Sequence, residues 1–134
     1  MQRSNFLAAM ALSAAIASIG TASAHHSFSA VYDTEKTVTV SGVVTKVEWF
    51  NPHAHFFVDA KNEQGVVENW DFELASPNGL MRLGWTRKSL QEGDAVTVEA
   101  FRARDGSPLG NARSVTLADG TKMFTGEAVQ GGLR

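Results

Sequence analysis

The stretch from Thr37 to Phe50 constrains the fold most. β-Branched residues crowd it, and its apolar alternation starts on Val38 and Val40, then changes phase across Gly42 to continue on Val43, Thr45, Val47 and Trp49. Period-two alternation of such residues marks a strand. A phase change at a glycine marks a β-bulge or a sharp coil in a long strand.

Further strands follow at short intervals. Asn51-Pro52 ends the first run, and His53 to Ala60 sets Ala54, Phe56 and Val58 on one face against His53, His55, Phe57 and Asp59 on the other. After a turn at Lys61 to Gly65, Val66 to Leu74 puts Trp70, Phe72 and Leu74 on its apolar side and Asn69, Asp71 and Glu73 opposite. Ser76-Pro77 is a helix start, a capping hydroxyl before a proline at the first helical position, and Gly84 stops the helix after about two turns. A second short turn over Trp85 to Leu90 is capped by Thr86. Ala95 to Ala103 is the fourth strand, Ala112 to Leu117 the fifth, and Asp119-Gly120 signals a hairpin leading to Met123 and Phe124.

Three strands, a short helix and two or three strands are the plan of an all-β, five-stranded Greek-key barrel of the OB type. The helix falls between strands three and four. A β-sandwich would want about seven regularly spaced strands. The expected organisation is an export signal at 1–24, an extended N-terminal arm at 25–36, the barrel domain at 37–126 and a flexible tail at 127–134. Phe28, Val31 and Tyr32 are the arm's apolar docking points.

The export reading rests on Arg3, the apolar stretch from Phe6 to Ile19, and Ala22-Ser23-Ala24, the small-x-small form that signal peptidase accepts. A spanning helix needs about 20 apolar residues, and this run is interrupted by Ser13 and Ser18. The expected location is periplasmic or secreted, with no integral membrane segment after cleavage.

The 134 residues include 12 Lys and Arg, 14 Asp and Glu, and no cysteine. Loss of residues 1–24 removes one basic and no acidic residue, so the mature chain is mildly acidic. That disfavours nucleic acid, whose binding rests on neutralising phosphates with a basic patch. Without cysteine there is no disulfide framework, thiolate metal site or cysteine nucleophile.

Several separated blocks agree in order with one family: His25-His26-Ser27-Phe28, Trp49-x-Asn51-Pro52-His53-Ala54, Ser76-Pro77, Gly84-Trp85-Thr86-Arg87, Gly93-Asp94-x-Val96-Thr97-Val98, and Asn111-Ala112-Arg113-Ser114-Val115. In these the chain resembles a family of small exported bacterial proteins of unknown function. The resemblance covers nearly the whole mature chain and implies no activity. At His55 the chain departs from it, since the family usually has an aromatic or aliphatic residue there. The family's shared role therefore points to His53 before His55.

The four histidines form two pairs. With cleavage after Ala24, His25 is the mature N-terminus, and its free amine and imidazole can chelate one metal together; such nitrogen donors favour copper(II) among the divalent first-row metals. This resembles the N-terminal histidine chelate of exported copper proteins and copper oxygenases. Cleavage after Ala22 would instead place histidine third, a chelator of different geometry.

His53 and His55 share one strand face. A symmetric turn sets His55 opposite Asp71 or Glu73, and His53 opposite Glu73 or the Ala75 end. Imidazoles beside carboxylates make either a metal site with orienting partners or plain cross-strand pairs on a solvated face.

The metal candidates are thus His25, His26 and His53, with copper or alternatively zinc as cofactor. His55, Phe57, Asp71 and Glu73 form a candidate ligand or partner face. The first functional reading is a periplasmic metal-binding protein; the alternative is a metal-free OB-like accessory module that binds a protein partner or a small organic ligand. An enzyme ranks below both: no Gly-x-Ser-x-Gly elbow or phosphate loop is present, and copper redox chemistry would need an open coordination position and a reductant. Trp49, Trp70 and Trp85 read as core before ligand stacking. Arg82, Arg87 and Lys88 read as a solvated basic face.

Overall fold

The computed structural model describes residues 28–126. The chain divides into two compact units, 1–31 and 32–134. Within the first, residues 28–31 form one helical turn. The expected signal at 1–24, the histidines of the arm and the tail at 127–134 lie outside the described residues.

The second unit is all-β. Its elements are β1 (Tyr32–Glu48), β2 (His55–Lys61), β3 (Val67–Glu73), helix α1 (Pro77–Arg82), β4 (Ala95–Ala103), β5 (Leu109–Leu117) and β6 (Lys122–Phe124). They form one six-stranded sheet in the order β3-β2-β1-β4-β5-β6, with β3 also pairing in parallel with β5. The pairings therefore run from β1 through β2, β3, β5 and β4 back to β1.

The inward residues are the expected ones on most strands. Phe56 and Val58 of β2, Trp70 and Phe72 of β3, Val96, Val98 and Ala100 of β4, and Ala112 and Val115 of β5 are buried in one cluster. Phe72 stacks between Phe56 and Trp70, at centroid distances of 5.3 and 5.7 Å. At α1, Ser76 Oγ accepts from Gly79 N at 3.1 Å, Pro77 follows the cap, and Gly84 takes a positive φ of 93° after the helix. Leu80 of this helix is fully buried in the same cluster.

Three expectations need correction. Residues 25–36 are not an extended arm throughout: 28–31 are helical, and β1 begins at Tyr32 instead of Thr37. Tyr32 and Asp33 pair with Ala103 and Arg102 of β4, but the register then slips before Thr37. That slip erases the alternation by which a strand is read from sequence.

The phase change of β1 is also not at Gly42. Val38, Val40 and Val44 all face inward, Val43 is exposed, and the register against β2 slips between Val44 and Lys46. Val43 and Val44 are both apolar, so the pattern alone did not separate the two phases. Gly42 serves close approach: a Cβ there would lie 2.2 Å from Asp59 O and 2.8 Å from Val58 Cγ1. The third correction is the strand count: the hairpin at Asp119-Gly120 leads into Lys122–Phe124, which pairs with β5 as a sixth strand where a five-stranded barrel is expected.

Candidate functional site

The outward face of β1, β2 and β3 carries the second histidine pair. Register sets Glu48, His55 and Glu73 in one row across these strands, and Lys46, Phe57 and Asp71 in the next. The ladder extends past the end of β2, because Ala54 N donates to Ala75 O and Leu74 N donates to Ala54 O. This extension brings His53 beside the end of β3.

His55 Nδ1 donates to Asp71 Oδ1 at 2.7 Å. The expectation that it faces Asp71 or Glu73 holds for both: Glu73 is its backbone partner and Asp71 its side-chain partner. The hydrogen bond to Asp71 raises the His55 pKa above its ordinary value. Partial burial opposes that shift, and the charges of Asp71, Glu73 and Glu48 reinforce it.

His53 Nδ1 lies 3.0 Å from Leu74 O and 3.5 Å from Glu73 Oε1. A carbonyl oxygen only accepts, so in this hydrogen bond Nδ1 is the donor. The His53 side chain is 42% exposed and that of His55 29%. Both imidazoles thus have Nδ1 engaged by an acceptor.

Glu73 is the hub of this face. Besides its approach to His53, its Oε2 accepts from the hydroxyl of Tyr32, a residue buried at the start of β1. Across the parallel pairing Glu73 is set against Asn111 of β5. Asn111 is 1% exposed, and among the described residues neither its amide nitrogen nor its oxygen has a hydrogen-bond partner. On the next row, Lys46 pairs with Glu48 and lies 5.5 Å from the Phe57 ring centroid.

The structure brings together His53, His55, Asp71 and Glu73, with Phe57 on the same face. It does not describe His25 or His26. Sequence reasoning set Lys46 and Glu48 outward but missed that they stand beside Phe57 and His55, a register fixed by the slip at Thr45, and it missed the link from Tyr32 to Glu73, which is 41 residues away. Among the described residues no group of three or more His, Cys, Asp or Glu is arranged to hold a metal. No helix among them is long and apolar enough to cross a membrane.

The class defined here is an all-β domain whose polar sheet face carries two histidines, each with Nδ1 against an acceptor, among carboxylates. The chain belongs to the family described as Family of unknown function (DUF6152), whose profile matches residues 12–112. No curated protein and no solved structure matches the chain.

Proposed function

We propose that this is an exported, periplasmic binding protein that takes a copper or zinc ion through histidine nitrogens, on an OB-like Greek-key barrel. The observation that carries the metal reading is the engagement of Nδ1 on both His53 and His55. Metal-ligating histidines characteristically donate one ring N–H to a carboxylate or a backbone carbonyl, which fixes the tautomer and leaves the other nitrogen to the ion. Leu74 O plays that part for His53 and Asp71 for His55. Imidazole donors suit copper and zinc.

The barrel reading is supported by the pairing circuit from β1 through β2, β3, β5 and β4, and by α1 lying between β3 and β4 with Leu80 buried. Export is supported by the apolar stretch and small-residue cleavage pattern of residues 1–24. Cleavage after Ala24 adds a second donor group, the amine and imidazole of His25 with His26 beside them.

A zinc titration followed through the imidazole nitrogen resonances tests the reading. His53 Nε2 is expected to shift on binding while Nδ1 keeps the chemical shift of a protonated nitrogen, and His53→Gln is expected to weaken binding. Unshifted Nε2 signals with affinity unchanged in His53→Gln would sink this role for His53.

One observation favours the metal-free alternative. Lys46 pairs with Glu48, and His55 hydrogen-bonds Asp71, within the face. Around Phe57 this leaves polar groups already satisfied by one another, a surface that suits a protein partner. On that reading Phe57→Ala abolishes partner binding with the fold retained, and added metal does not change thermal stability.

A further inference from the structure

A second place on the molecule has the form of a ligand site and shares no residue with the histidine face. Trp49 and Asn51 beyond β1, Asn78 and Met81 of α1, and Trp85 and Arg87 after it line an open cleft of about 370 Å3. Small-molecule sites generally occupy roughly 300–1,000 Å3.

Its apolar walls are set in advance. Trp85 is buried, and its Nε1 donates to Phe124 O at 2.8 Å, which fixes the indole. Trp49 packs against the core cluster, and Met81 is 52% exposed at the cleft. Indole faces take flat rings by stacking, and a thioether adapts to a ring edge.

The polar lining has one sign. Among the described residues Arg87 is the only charged one that lines the cleft and no carboxylate does, although the chain's net charge is −2. Among the described residues the side chains of Asn51, Asn78 and Arg87 have no hydrogen bond or ion pair. Two carboxamides and a guanidinium are thus free to receive an acceptor-rich anion. Guanidinium pairs with carboxylate through two parallel hydrogen bonds.

We infer that this cleft binds a small flat aromatic carboxylate, with its ring against the Trp49 and Met81 walls and its carboxylate at Arg87. Indole stacking supplies the ring preference, and Arg87 separates the acid from its uncharged amide.

The test is an amide and indole NMR titration of the protein with 2-naphthoate and, separately, with 2-naphthamide. Saturable shifts confined to Trp49, Met81, Trp85 and Arg87 are expected, with naphthoate the tighter ligand. Arg87→Gln, at an exposed side chain with no partner, is expected to weaken naphthoate roughly fivefold and to leave naphthamide within about twofold. Met81→Glu is expected to weaken naphthoate further through charge repulsion.

Equal affinities for the acid and the amide in the unsubstituted protein would overturn the inference, as would linear, scattered shifts. Concentration-dependent shifts at Met81 and Trp49 without any probe would overturn it in favour of a second copy of the chain.

Discussion

His55 donates its Nδ1 proton to Asp71 at 2.7 Å, although its backbone partner across the β2–β3 ladder is Glu73. The imidazole leans diagonally along the sheet face and leaves Glu73 to Tyr32 and His53. Each carboxylate on this face therefore has its own partner.

Replacing Asp71 tests the first of these pairs. The Asp71 hydrogen bond is the largest cause of the raised His55 pKa, followed by burial, which opposes it. In Asp71→Asn the His55 titration midpoint, followed by its ring proton shifts, is expected to fall towards or below the ordinary histidine value. An unmoved midpoint would contradict the assignment.

The same shift makes stability depend on pH. A folded-state pKa above the unfolded one means that His55 stabilises the fold fully below its unfolded value, and the contribution is lost as pH rises through the raised folded value. Chemical denaturation across that window is expected to show a loss that His55→Gln abolishes. A loss that persists in His55→Gln would assign the effect elsewhere.

Much of this face is legible in the sequence. The alternation through Ala54, Phe56 and Val58 places His53, His55 and Phe57 outward, and turn symmetry brings Asp71 and Glu73 to them. β4 also runs over the expected residues, Ala95–Ala103. What is hidden are the slips: the one after Asp33 conceals the start of β1, and the one at Thr45 conceals which β2 residues Lys46 and Glu48 stand beside. A slip arises from strands coiling around each other, a property of the partner strand as much as of the local residues. Tyr32 illustrates the limit, since its partner Glu73 lies on a strand that local pattern does not connect to it.

Tyr32→Phe keeps the ring and removes the donor to Glu73. A lost hydrogen bond to a charged acceptor in a partly buried place costs about 1.5–3 kcal/mol. Urea denaturation is expected to show a loss in that range; stability equal to the parent would mean that the contact contributes nothing.

Gly42→Ala forces a Cβ against Asp59 O, a backbone atom that cannot rotate away. The expected cost is about 3 kcal/mol or more, at the upper end for overpacking. Gly65, with φ of 78° and open space around its Cβ position, provides the control. Its replacement by alanine is expected to cost only about 1–2 kcal/mol from left-handed backbone strain. Similar losses at the two sites would contradict the close approach of β1 and β2.

Asn111 carries a buried amide with no partner among the described residues. Leucine at this position keeps the branched heavy-atom skeleton and removes the desolvated amide, and the thermal midpoint of Asn111→Leu is expected to stay level or rise. A fall equivalent to more than about 2 kcal/mol would show that the amide is satisfied and structurally required.

The central claim is metal binding through histidine nitrogen, and a copper(II) titration of the exported, processed protein addresses it most directly. The mature mass would be recorded first, followed by calorimetry and electron paramagnetic resonance, with His25→Ala and His53→Ala in parallel. The account predicts tight one-to-one binding with a nitrogen-rich spectrum that the histidine substitutions weaken. Absent binding, or weak binding that survives both substitutions, would contradict it and leave the metal-free interaction module as the reading to pursue.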